Sequence, residues 1–154
     1  MRTFILLCAV LLSSATIAAP RPNIVFILAD DLGYGDLSSY GASDIATPNI
    51  DRLAAEGIRF TDYYTPANTC SPTRAALMTG RYPPRTGVNA VLGHDTVEGL
   101  PLDEITLAEM LRDAGYTTAI IGKWHLGQVE AFMPWQQGFD YFFGYLDQKQ
   151  AHNY

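Results

Sequence analysis

Cys70 stands directly before Ser71-Pro72-Thr73-Arg74 and a stretch that closes at Gly80. These residues predict a short helix, with Ser71 as N-cap, Pro72 at the first helical position and Gly80 as the left-handed residue after the last turn. Arg74 lies about one turn beyond Cys70, so its guanidinium can return to the same helix mouth. A thiol, free backbone N–H groups and a fixed positive charge then meet at one point, which suits a tetrahedral oxyanion. Two more groups stand where chemistry is often placed. Asp30-Asp31 halts an apolar run, and Lys123 and His125 follow a β-rich one. On residue type alone each has an ordinary reading beside the chemical one. A free cysteine is often a small inert hydrophobe, an acidic pair often makes a turn, and Lys123-Trp124-His125 fits a loop.

The elements that must position these groups are marked along the chain. Asn23 to Ala29 is a continuous apolar run with β-branched residues, which predicts a strand buried on both faces. Thr47 and Pro48 open a helix as N-cap and N1, with Ile50, Leu53 and Ala54 on one face and Gly57 closing it. Ile58 to Tyr64 reads as another strand. Tyr82 to Leu102 is a long Pro- and Gly-containing loop that carries His94. Thr106 and Glu109 form a capping box, with Ile105 and Met110 placed as a hydrophobic staple, and the helix ends at Gly115. Tyr116 to Ile121 is β-rich, and the remainder is aromatic without clear periodicity. Strand, helix, strand, helix, helix, strand predicts an α/β architecture, whose active groups gather beyond the carboxyl ends of strands. If the strands before Asp30 and before Lys123 are parallel neighbours, both pairs share a rim with the Cys70 helix.

The chain has 154 residues, is 48% hydrophobic and 17% charged, and carries a net charge of −6. This is the composition of one globular domain. Residues 1–19 read as an export signal, with Arg2, an apolar run from Phe4 to Leu12 and small residues before a cleavage point near Ala18 or Ala19. The run is too short to be a stable membrane span. Removing residues 1–19 takes away Arg2 and no acid, so −6 becomes −7. Such a chain has no electrostatic reason to hold nucleic acid or an anionic membrane surface. Removal of Cys8 leaves Cys70 alone, without an internal disulfide partner in an oxidising compartment.

Cys70-Ser71-Pro72-Thr73-Arg74, with the following Ala75 to Arg81, resembles the sulfatase signature. Gly115-Tyr116-Thr117-Thr118-Ala119-Ile120-Ile121-Gly122-Lys123-Trp124-His125 resembles the second signature of the same family, and Asn23 to Gly35 resembles its first strand and metal-binding turn. Three motifs in the family's order are far more specific than one. The resemblance implies the alkaline-phosphatase-like mixed sheet flanked by helices, and hydrolysis of sulfate esters. It implies that Cys70 is oxidised to Cα-formylglycine by a formylglycine-generating enzyme. One hydroxyl of the hydrated aldehyde would attack sulfur and displace the alcohol, leaving a covalent sulfate ester, and loss of the proton from the other would expel sulfate as the aldehyde re-forms. Asp30, Asp31 and modified Cys70 would bind a divalent cation, usually calcium. Arg74 would stabilise the cation-bound hydroxyl, while Lys123 and His125 would hold the sulfate and assist the nucleophile. His152 resembles a substrate-side residue of some sulfatases.

The family's remaining cation ligands, a leaving-group histidine and another lysine lie in later segments. Residues 20–154 therefore read as the N-terminal part of a catalytic domain, expected to be inactive alone and to bind calcium poorly. The resemblance implies a sulfated small molecule or glycan as substrate, and the export signal implies a periplasmic, extracellular or lysosomal location. Competing readings are a phosphonate monoester hydrolase or phosphodiesterase of the same superfamily, a non-catalytic secreted relative, and a metal-independent cysteine hydrolase with His125 as base.

Overall fold

The computed structural model describes residues 21–152. The proposed export signal and Cys8 lie outside these residues, as does the C-terminal Tyr154. The chain divides into two units, Met1–Leu32 and Gly33–Tyr154.

In the first unit, Asn23 to Ala29 forms no strand, contrary to the sequence expectation. Its apolar side chains are exposed, Val25 and Ile27 most of all. A doubly buried strand is made by its neighbours as much as by its own residues, and no described segment pairs with this one. The segment ends in a turn where Asp31 takes a left-handed φ of 61°, a conformation that Asp tolerates better than most residues.

The second unit carries the regular elements. Helix α1 spans Pro48–Glu56 with Thr47 as N-cap, and Gly57 N–H closes it on the Leu53 carbonyl. Its predicted apolar face is not covered, since Ile50 and Leu53 are exposed. What holds its start is polar. The Ser38 hydroxyl donates to Asp51 Oδ2 at 2.5 Å, and Thr47 Oγ1 donates to Asp51 Oδ1 at 3.0 Å. Ile58 to Tyr64, predicted as a strand, forms none and is exposed, for the same lack of a ladder partner among the described residues.

Helix α2 spans Cys70–Thr79 and α3 spans Pro83–Thr86. Gly80 has φ 66° and donates to the Ala76 carbonyl, as its predicted C-terminal role requires. The start differs from expectation by two residues. Thr69 is the N-cap and Cys70 is the first helical residue, so Ser71 lies inside the first turn. Pro72 remains acceptable there because first-turn N–H groups have no intrahelical acceptor.

Helix α4, Leu107–Asp113, has both hydrogen bonds of the predicted capping box between Thr106 and Glu109. Strands β1, Ala119–Lys123, and β2, Tyr141–Tyr145, pair in parallel with Ala119 opposite Tyr141 and Lys123 opposite Tyr145. Helix α5, Gln148–Ala151, follows β2 and is capped by Asp147. The parallel neighbour of β1 among the described residues is thus β2, a strand that the sequence reading passed over. Gly122 faces Gly144 across the pair. A Cβ on Gly144 would fall 2.0 Å from the Gly122 carbonyl oxygen, so the two backbones meet where no side chain fits.

The buried cluster is Ala75, Val88, Leu100, Trp124 and Leu126, with Leu92, Ile120, Phe139 and Phe142 packed against it. Trp124 is the centrepiece. Its indole N–H donates to the Phe132 carbonyl at 2.9 Å, and its ring meets Phe139 edge-on at 6.0 Å. Ala75 of α2 and Trp124 just past β1 share this core, which fixes the Cys70 helix against the exit of β1.

Candidate active site

Four of the predicted site residues belong to the second unit. Cys70 is a half-buried free thiol at the first position of α2. Arg74, four residues on, reaches the end of β1, where its Nη1 donates to the Lys123 carbonyl at 2.6 Å. A backbone acceptor uses one face of the guanidinium fork and fixes its plane. Lys123 is only 7% exposed, and its Nζ donates to Gln148 Oε1. Gln148 also contacts His152 through its amide nitrogen. Neither composition nor motif pointed to Gln148. The signal that was present is its place one residue beyond an Asp N-cap, directly after an aromatic β-like run.

The parallel pairing extends past the last strand residue. Trp124 N–H donates to the Tyr145 carbonyl and His125 N–H to the Leu146 carbonyl, each at 3.0 Å. His125 follows in a left-handed conformation, φ 58°. A non-glycine residue there is uncommon and carries strain of order 1 kcal/mol. Its side chain is 1% exposed. Nε2 lies 2.9 Å from the Leu92 carbonyl, and a carbonyl only accepts, so Nε2 bears the proton and donates. Nδ1 is buried without a hydrogen-bond partner among the described residues. In the neutral ring that atom carries a lone pair.

His125 is held below its ordinary pKa near 6.5. Burial is the largest cause, and Lys123 and Arg74 push the same way. The Leu92 hydrogen bond and Asp147 oppose them without prevailing. The imidazole is therefore a neutral acceptor beside two cations. That combination can take a proton from a hydroxyl while the cations stabilise an oxyanion.

Ser71, beside Cys70, is fully buried, and its hydroxyl accepts from Leu92 N–H at 3.1 Å. Leu92 thus touches the α2 mouth through its N–H and His125 through its carbonyl. His94, read from sequence as an ordinary loop residue, instead pairs through Nδ1 with Asp147 Oδ2 at 2.5 Å. Asp147 is 3% exposed. Burial raises its pKa, but the Gln150 N–H and His94 outweigh this and hold it below the usual carboxylate value.

Asp30 and Asp31 close the first unit and are both exposed. Adjacent carboxylates are the right donors for a hard cation, but two of them furnish only part of a calcium shell. No cluster of three or more His, Cys, Asp or Glu suited to a metal exists among the described residues.

The Sulfatase family model matches residues 22–154. The chain belongs to the sulfatase family. The sulfatase chain is 56% identical over 126 residues to arylsulfatase G of Rattus norvegicus, covering 82% of this chain and 24% of the relative. It is 55% identical over 136 residues to arylsulfatase A of Bos taurus, covering 86% and 27%. Among solved structures, BT4656 in complex with its substrate D-glucosamine-2-N,6-O-disulfate aligns with a TM-score of 0.67 and 38% identity. That match covers 79% of this chain and 22% of the other. The chain spans about a quarter of the length of the relatives it matches. Its α/β arrangement is the corresponding part of the alkaline-phosphatase-like sulfatase fold. No described helix is long and apolar enough to cross a membrane.

Proposed function

We propose that the complete protein hydrolyses sulfate esters with Cys70, as Cα-formylglycine, at the reacting centre. The observation that carries this reading is the meeting of Arg74 and Lys123 at the end of β1, beside neutral His125 and in the same packed unit as the Cys70 helix. The hydrated aldehyde, when formed, supplies a nucleophilic hydroxyl and a second hydroxyl whose deprotonation drives release of sulfate. This chain's own residues do the rest. Lys123 and Arg74 offset the negative charge of a bound sulfate in an otherwise acidic protein. His125 accepts a proton at Nδ1, since Nε2 is committed to Leu92. Asp30 and Asp31 would hold a divalent cation, taken to be calcium, together with the modified Cys70. Such an ion lowers the pKa of a coordinated hydroxyl and neutralises charge.

The substrate class is a sulfated small molecule or sugar, in keeping with the disulfated glucosamine bound by the structural relative BT4656. A formylglycine-generating enzyme is the maturation partner, and residues 1–19 direct export. The 154-residue segment alone is expected to lack turnover, because its acidic pair is a partial cation shell.

Two measurements on the complete protein test the reading. Mass spectrometry of the peptide from Phe60 to Arg74 should show the thiol of Cys70 replaced by an aldehyde, and a chelator should abolish release of sulfate from an aryl sulfate. An unmodified thiol in a host that makes formylglycine overturns the nucleophile assignment. A phosphate diester turned over faster than any sulfate monoester overturns the reaction class. Sequencing the N-terminus of the exported protein tests the signal, which predicts a start near residue 20.

A further inference from the structure

The loop at residues 92–94 carries no helix or strand, yet four of its polar groups are tied to other parts of the fold. Leu92 N–H donates to Ser71 Oγ at 3.1 Å, and the Leu92 carbonyl accepts from His125 Nε2 at 2.9 Å. The Gly93 carbonyl accepts from Gln128 Nε2 at 3.1 Å. His94 then anchors the loop through Nδ1 to Asp147 Oδ2 at 2.5 Å. The other oxygen of Asp147 accepts from Gln150 N–H at 2.8 Å at the start of α5. Both carboxylate oxygens are therefore committed, one to the short helix after β2 and one to the loop.

We propose that His94 and Asp147 are positioning residues whose pairing sets the tautomer of His125. The chain of contacts is short. The pair pins the loop at His94, the loop aims the Leu92 carbonyl, and that carbonyl holds the proton of His125 on Nε2. If the carbonyl is withdrawn, a buried imidazole has no reason to keep its proton there, and the proton redistributes between the two nitrogens. A proton on Nδ1 leaves the ring unable to accept at that atom. The alternative use of the pair is to satisfy a buried Asp147, with no consequence for His125. The two uses differ in what happens to the imidazole, and the proposal rests on the reading of His125 as an acceptor in the sulfatase site.

The test is a long-range proton–nitrogen correlation spectrum of the complete protein labelled with nitrogen-15 histidine, with His125 assigned from a His125→Gln sample. The parent should show His125 with a protonated Nε2 and a lone-pair Nδ1. His94→Ala and Asp147→Asn should each shift His125 to a mixture of tautomers with the backbone amide fingerprint kept. His94→Asn places an amide donor where Nδ1–H stood and should restore the parent pattern. On a sulfate ester, His94→Ala should lower kcat by about twofold or more, in proportion to the share of His125 that carries its proton on Nδ1, with KM little changed. Retention of the pure Nε2–H tautomer in both His94→Ala and Asp147→Asn overturns the proposal. The spectroscopic arm needs no turnover, so failure of the parent protein to cleave sulfate esters would overturn the functional reading and leave the tautomer result standing.

Discussion

Acid should destabilise this fold through His125, and His125→Gln should remove that sensitivity. The sign follows from the direction of the shift. The folded imidazole is held below its ordinary value near 6.5, so as pH falls the unfolded chain takes up a proton first. The stability that neutral His125 contributes is complete above about pH 6.5 and is lost as pH falls from there toward the folded pKa. Within that window the slope reaches about 1.4 kcal/mol per pH unit for one proton. Its physical source is an Nδ1 atom buried without a partner. Protonating it creates a buried donor with no acceptor, next to Lys123 and Arg74.

Glutamine keeps a donor for the Leu92 carbonyl and cannot be charged, so His125→Gln should flatten this part of the profile while costing some packing. The assay is urea unfolding of parent and variant at pH 7.5, 6.5 and 5.5. Asp147, whose pKa is depressed in the fold, contributes in a separate window. Its stability is present above about 3.8 and lost as pH falls further, so it does not confuse the comparison. A parent profile that matches the variant's across these three pH values would refute the reasoning. A parent that grows more stable on acidification relative to the variant would reverse the sign and refute it outright.

Other substitutions probe the frame around the site. Gly144→Ala drives a Cβ into the Gly122 carbonyl at a φ of 156°, and should cost about 1–3 kcal/mol, read as a lowered melting temperature. Ser71→Ala removes the acceptor of the half-buried Leu92 N–H; about 1 kcal/mol of stability should be lost, with faster hydrogen exchange at that amide. Arg74→Lys in the complete protein keeps the charge but not the fork held by the Lys123 carbonyl. It should lower kcat/KM for a sulfate ester by roughly a hundredfold, and parent-like kinetics would remove Arg74 from the site.

Helix α2, the capping box at Thr106 and the α/β class were legible because their signals are local. Gly80 and the Thr106–Glu109 pair act within a few residues of where they are written. The strands were harder for a physical reason. Asn23 to Ala29 and Ile58 to Tyr64 have strand composition, but a strand exists only when another segment offers its ladder, and no described segment does. Conversely, Tyr141–Tyr145 has no alternation to announce it, yet it pairs with β1 because Gly122 and Gly144 allow the two backbones to approach. The site shows the same division. Cys70, Arg74, Lys123 and His125 could be named from two short motifs. The sequence could not show that His125 would be neutral, nor which nitrogen would carry its proton. Both depend on Leu92, which lies 33 residues away, and on the burial around it. His94 looked like an ordinary loop histidine because its partner, Asp147, is 53 residues distant. Residue types written close together thus name the reacting groups. Their protonation is set by distant residues meeting at the end of a two-stranded parallel sheet, and that is where changes to this protein should first alter its chemistry.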